Sequence, residues 1–151
     1  MLTSLAYCIR APGCGRRRRA RIAAGARLQI ASRYDPSMAI DVRQADVAGD
    51  AAAIRAIRTA VFVVEQRVPL DLEMDDRDRH CVHVLAWEGD VPVGTGRIDL
   101  EHDGKIGRVA VLPSHRRTGV GAALLGHLHG IAAGPGLTRV WCHAPRSALP
   151  F

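Results

Sequence analysis

The sequence predicts one α/β domain with a mixed, largely antiparallel sheet flanked by helices. Three observations carry this reading. Three short apolar runs joined by tight Gly/Asp turns lie between Cys81 and Leu112, and a segment of helical spacing stands on either side of them. The chain has 151 residues, 48% of them hydrophobic, which is enough for one core and one domain.

The first 37 residues stand apart from that pattern. They hold eight arginines, four of them consecutive (Arg16–Arg19), against Asp35 alone, a net +7 that leaves −1 for residues 38–151. The basicity of the chain therefore belongs to its tail. With no sustained period of 2 or 3.6, the tail is expected to be disordered. Three readings compete: a basic arm that displaces counterions from nucleic-acid phosphates, an Arg-rich, acid-poor transit peptide, or a stretch upstream of a domain that opens at Met38. No aromatic residues are interleaved for base stacking, and the recognisable pattern begins after Met38. The third reading is the working expectation, and nucleic-acid binding through the tail is the alternative. The expected division is a tail, 1–37, and a folded domain, 38–151.

Met1–Ile9 is a short apolar stretch with its positive charge behind it, the reverse of a secretory signal. No apolar run approaches the roughly 18 residues of a membrane span. Cys8, Cys14, Cys81 and Cys142 follow no regular spacing. A cytoplasmic protein without membrane contact is the default expectation.

From Met38 the elements follow in order. Ala39–Gln44 alternates apolar and polar as a half-buried strand does. Asp50 is placed to cap a helix from Ala51 to about Val63, with Ile54, Ile57, Val61 and Phe62 on one face. Residues 65–80 are acid-rich, contain Pro69, and read as a loop with room for a helical turn. Cys81–Trp87, Val91–Leu100 and Lys105–Leu112 then form an antiparallel meander turning at Glu88–Asp90 and His102–Gly104. Pro113 ends the third strand. A helix is expected from about Thr118 to Ala133, with the stripe Val120, Leu124, Leu128 and Ile131, stopped by Gly134–Pro135. Gly126 and Gly130 within it cost about 1 kcal/mol each relative to alanine, so close packing against the sheet is the expected reason for them. Thr138–His143 is the last strand.

The stretch GRVAVLPSHRRTGVGAALL, Gly107–Leu125, joins the third strand to that helix. The first-turn N–H groups of a helix have no intrahelical partners and sit at the positive end of its dipole. Gly119 and Gly121 leave room for a bulky anion to approach them. Arg116 and Arg117 add charged, fork-shaped donors suited to phosphate oxygens. A pyrophosphate fits such a loop. A Walker loop is excluded because Gly104–Lys105 is followed by Ile106, and a dinucleotide fingerprint because Leu124 stands where its third glycine belongs.

Arg116-Arg117-Thr118-Gly119-Val120-Gly121 resembles the Arg/Gln-x-x-Gly-x-Gly/Ala signature of the GNAT superfamily of acyl-CoA-dependent N-acyltransferases. Gly107–Pro113 is similar to the family's central strand. VFVVEQRVP followed by EMDDRD resembles a subgroup of small bacterial GNATs, as do His143-Ala144 and Phe151. The resemblance covers about residues 39–151. It implies acetyl-CoA as co-substrate and an amine of a small molecule or peptide as acceptor. It further implies that Val109, Ala110 and Val111 line the pantetheine arm, main-chain groups of Val109 and Val111 polarising the thioester carbonyl. Arg116, Arg117, Thr118, Gly119, Val120 and Gly121 would hold the pyrophosphate. An ammonium must lose a proton before it attacks. Glu65 is the expected base, His143 a further proton shuttle, and Glu73, Asp75 and Asp78 weaker candidates that could instead attract a basic acceptor. The plain alternative for these acids is a solvated loop.

The resemblance also has gaps. In the family a Tyr, a helix and two more strands follow the position of Phe151, and the Tyr often reprotonates the thiolate. Here the only tyrosines are Tyr7 and Tyr34. The expected domain thus lacks the last helix and strands, and Thr138–His143 is left with an unpaired edge that invites self-association. An inactive acyl-CoA-binding remnant is the rival function. His80-Cys81-x-His83 is not expected to bind a metal, because neighbours on a strand face apart. The same reasoning makes Cys142 beside His143 a buried thiol and not a nucleophile. Trp87 and Trp141 are expected in the core.

Overall fold

The computed structural model describes residues 5–10, 39–46 and 48–144. Its centre is the expected meander: β3 (Val82–Glu88), β4 (Val91–Asp99) and β5 (Lys105–Val111). Gly89 (φ +58°) makes the first turn, and Asp103 (φ +52°) with Gly104 (φ +71°) the second. A side chain at Gly104 would also meet Leu137 and Val140, so that turn is packed as well as left-handed. The half-polar strand β2 (Ile40–Gln44) lies antiparallel on β3, with Ile40 and Val42 turned partly inward.

β6 (Arg139–Ala144) runs parallel to β5, and the two touch only at Lys105↔Trp141 and Ile106↔Cys142. A final strand, β1 (Leu5–Arg10), pairs antiparallel along the whole of β6, with Tyr7 opposite Cys142. The six-stranded order is β1-β6-β5-β4-β3-β2. This corrects two expectations. Leu5–Arg10, inside the segment expected to be disordered, is a strand, and β6 therefore has a neighbour on each side instead of an open edge. The remainder of the tail, including Arg16–Arg19, and residues 145–151 lie outside the described residues.

The two faces of the sheet are covered by helices of unlike character. α1 (Ala51–Arg58) continues into a wider π-helical stretch, Thr59–Glu65, and packs Ile54, Ile57 and Val61 against Leu85 and Ala110. Asp50 stands at the N-cap, but its carboxylate accepts from the Asp46 N–H at 2.9 Å and not from the first turn of α1. The acid-rich connection holds a one-turn helix, α2 (Leu70–Glu73), and a 3₁₀ turn, Asp76–His80.

On the opposite face lies α3 (Val120–Ala133), whose Val120, Leu124 and Leu128 are fully buried against Val84, Ala86, Val93, Ile98 and Ile106. The glycines that permit this approach are not the helical ones. A Cβ at Gly126 or Gly130 would have open space, whereas one at Gly94 would come within 3.0 Å of Leu124 and 3.1 Å of Val120, and one at Gly96 within 3.1 Å of Leu128. The helix leans onto two glycines of β4, so the packing role expected of Gly126 and Gly130 belongs to Gly94 and Gly96.

Candidate functional site

β5 is irregular where it leaves β6. Thr95 pairs with Ala110 and Arg97 with Gly107, so Gly96 alone faces both Arg108 and Val109. Arg108 takes up the extra residue with φ +53°. Beyond this bulge the Leu112 N–H donates to the Val93 carbonyl at 3.0 Å. Polar groups alternate between the two sides of an antiparallel strand, so the main chain of Val111 faces away from β4, toward the gap that opens where β6 diverges. The side chains of Val109 and Val111 rest against the α3-side core, and that of Ala110 is buried on the α1 side.

The loop after β5 is held in shape by its own bonds. Thr118 Oγ1 donates to the His115 carbonyl at 2.7 Å, and Arg116 Nε to the Val111 carbonyl at 3.0 Å. Arg117 (φ +62°) and Gly119 (φ +93°) are both left-handed, and Gly119 is the N-cap of α3. The first bond of the helix runs from Ala123 N–H to the Gly119 carbonyl at 3.0 Å, so the N–H groups of Val120, Gly121 and Ala122 lack intrahelical acceptors. A side chain at Gly119 would meet nothing within 4 Å. The glycine is there for its backbone angle and leaves open space in front of the helix end. Arg117 is exposed and makes no ion pair among the described residues. The geometry suits a bound phosphate.

Arg116 is already engaged. Its guanidinium forks onto both carboxylate oxygens of Glu65, at 2.8 Å for the Nη1–Oε1 contact. This holds the Glu65 carboxyl below its usual range and raises Arg116. The end of the π-helical stretch thus delivers Glu65 to the loop before α3.

The acidic stretch is not a solvated loop. Glu73 is buried and takes Arg58 Nε at 2.6 Å and Arg108 Nε at 3.1 Å. Asp75 receives Arg97 at 2.6 and 2.8 Å and Arg108 at 3.0 Å, and Arg97 beside it holds its carboxyl down to about 2. Burial would push Asp78 up, but bonds from Arg58 and Arg97 outweigh it and the net direction is down. These acids are saturated by guanidinium donors, so the expectation that they attract a basic acceptor is corrected. Sequence reasoning missed Arg58, Arg97 and Arg108. The signal was available: period-2 alternation puts Thr95, Arg97 and Asp99 on one face of β4, and residues 73–78 hold four acids, which need counter-charges where they are buried.

A cavity of about 270 Å³ opens beside this network, where β5 and β6 part. It is lined by Asp75, Arg97 and Arg108, by Arg77, Asp99 and His102, and by Lys105 and His143 of the two strands. His143 is exposed there, edge-on to Trp141 at 5.2 Å. Trp141 is half-buried and donates its indole N–H to the His102 carbonyl at 3.1 Å, so it borders the cavity instead of filling the core. Trp87 packs on the α1-side cluster under Arg43. Burial raises both Cys81 and Cys142, the direction that makes a thiol less reactive. Of the expected catalytic residues, Glu65 stands with the phosphate loop, and His143 and Asp75 stand at the cavity.

The profile of the Acetyltransferase (GNAT) family matches residues 51–149. The chain belongs to this family. The uncharacterized N-acetyltransferase YjcF of Bacillus subtilis is 38% identical over 96 residues, 63% of this chain and 69% of that protein. Among solved structures, one described as an N-acetyltransferase from Lactobacillus plantarum is 29% identical with a TM-score of 0.68, covering 75% of this chain and 80% of its own. Escherichia coli ElaA is 27% identical with a TM-score of 0.66, covering 75% and 83%. The mixed, largely antiparallel sheet flanked by helices is the GNAT fold. Among the described residues no helix is long and apolar enough to cross a membrane.

Proposed function

We propose that the protein is an acetyl-CoA-dependent N-acetyltransferase acting on an amine of a small molecule or peptide. One observation carries the proposal furthest. β5 pairs with β6 only at Lys105 and Ile106, and beyond that point the Val111 main chain faces away from β4, its carbonyl taken by Arg116 of the loop that leads into α3; this supports a thioester arm and its phosphates lying along one surface.

Acetyl-CoA would supply an activated acetyl group. The N–H groups of Val120 and Gly121, with Arg117 and Thr118, are suited to hold its pyrophosphate. Arg116 joins them by exchanging the Glu65 carboxylate for phosphate, a like-for-like exchange of fork partners. Val109, Ala110 and Val111 order the arm along the open edge. Fixing donor and acceptor in one geometry then accounts for much of the rate.

Proton removal from the acceptor is assigned to His143. Glu65 is not among the residues that line the cavity, and Asp75, held near 2 by Arg97, is a poor base. His143 is exposed at the cavity mouth, and imidazole is the side chain best matched to proton transfer near neutral pH.

A thiol-release assay with acetyl-CoA and a panel of amines tests the proposal. Turnover is expected, together with a loss of about 10²–10⁴-fold in kcat for His143→Gln. No coenzyme A binding by calorimetry would overturn it.

A further inference from the structure

We infer that the acceptor amine carries an anionic group, a carboxylate or a phosphate, which Lys105 recognises in the cavity between β5 and β6. This rests on the acetyltransferase reading and adds the charge class of the acceptor.

The argument begins with what each charge in the cavity is already doing. Asp75 is held by Arg97 and Arg108. Asp99 receives three bonds from Arg77, and His102 Nδ1 lies 3.0 Å from it. Both carboxylates that line the cavity are therefore committed, and neither is left to hold an ammonium group. A polyamine or aminoglycoside would have to displace a bidentate guanidinium to gain one contact.

Lys105 is in the opposite situation. It stands directly across from Asp99 in the β4–β5 register. Paired residues project from the same face of a sheet, so an ion pair between them is the simple expectation. It does not form, because the Asp99 carboxylate is taken by Arg77 and His102. The Lys105 ammonium instead lies 5.2 Å from the centre of the Trp141 ring, and makes no ion pair among the described residues. The ring fixes the cation beside the cavity without neutralising it. His102 and His143 border the same space and can add donors.

Position fits the chemistry. Lys105 and Val109 are four residues apart on β5, roughly 13 Å along an extended strand. After one ion-pair contact at Lys105, about 10 Å is left for the amine to reach the acyl group ordered at Val109–Val111. An acceptor with its charge about eight bonds from its amine satisfies both ends.

Three primary amines of that length separate the possibilities: 8-aminooctanoate, 8-aminooctyl phosphate and 1,8-diaminooctane. At saturating acetyl-CoA the anionic pair is expected to show KM values at least tenfold below that of 1,8-diaminooctane, and the lower of the two identifies carboxylate or phosphate. Lys105→Ala should raise the anionic KM by on the order of 10- to 100-fold, the loss of a charged hydrogen bond, leave 1,8-diaminooctane unchanged, and be rescued by Lys105→Arg. The diamine preferred, or Lys105→Ala without effect on KM, would overturn the inference. A second readout is independent of turnover: imidazole NMR signals of the full chain titrated with the same three amines. Shifts with 8-aminooctanoate or 8-aminooctyl phosphate that vanish in Lys105→Ala support the anion site even if no thiol is released, a result that would sink only the acetyltransferase reading. No shift with either anionic amine overturns the site, whether or not coenzyme A binds.

Discussion

Glu65 and Arg116, 51 positions apart in the chain, meet as a forked ion pair beside the loop that leads into α3. Each is the other's strongest influence: Arg116 lowers Glu65, and Glu65 raises Arg116. On the proposed function, Glu65 competes with phosphate for one guanidinium. Removing the competitor should tighten coenzyme A binding, so Glu65→Gln is expected to lower the calorimetric Kd a few-fold while kcat stays within about tenfold of the parent. Arg116→Ala should weaken binding by on the order of 10- to 100-fold. A collapse of kcat by about 10²-fold or more in Glu65→Gln would return Glu65 to the role of base.

Acid should loosen the fold through Asp75. Its carboxyl is held to about 2, below its ordinary value, by Arg97. Between those two values the unfolded chain binds the proton and the folded chain does not, so stability falls as the pH drops. The contribution is complete above about pH 4 and is lost on descent through about pH 2. In Asp75→Asn the denaturation midpoint should be lower at neutral pH, and the part of its slope between pH 4 and 2 that belongs to this residue should disappear.

The glycines of α3 and β4 should respond in opposite directions. Gly126→Ala adds a methyl in open space on a helix and should stabilise by roughly 0.4–1 kcal/mol. Gly94→Val drives atoms into Leu124, Val120 and the Ala110 carbonyl and should cost about 1–3 kcal/mol. Urea titrations of both variants decide the matter, and equal effects would show that α3 does not lean on β4 as described.

Gly119 offers a test of backbone against bulk. Its φ of +93° is open to glycine, yet nothing crowds its missing side chain. Gly119→Ala should therefore weaken coenzyme A binding while leaving the thermal midpoint within a few degrees. A large fall in stability without loss of affinity would mean that the glycine serves the fold and not the ligand.

The fold was legible where local pattern decides structure. The meander, the α3 stripe of Val120, Leu124 and Leu128, and the Arg/Gly loop each declare themselves by period or by turn residues. What stayed hidden depends on meetings far apart in the chain. Glu73, Asp75 and Asp78 look solvated until Arg58, Arg97 and Arg108 arrive from three other elements. Glu65 looks unpartnered until Arg116 reaches it. The strand at Leu5–Arg10 carries no clean alternation, and its pairing comes from the β6 edge it meets. Lys105 is one cation among many until register sets it opposite an acid that has other partners.

The arginine–carboxylate network beneath the cavity has a consequence for how such a sequence can drift. Arg58 serves both Glu73 and Asp78, Arg97 serves both Asp75 and Asp78, and Arg108 ties Glu73 to Asp75. The six residues form a closed ring in which every member has two partners. Losing any one strands a charge, at a cost of about 3–5 kcal/mol where the pair is fully buried, as at Arg58–Glu73. Single replacements should be purged among relatives, and the ring should be inherited or abandoned as a block. The exposed Arg79–Asp76 pair next to it is free to come and go one residue at a time.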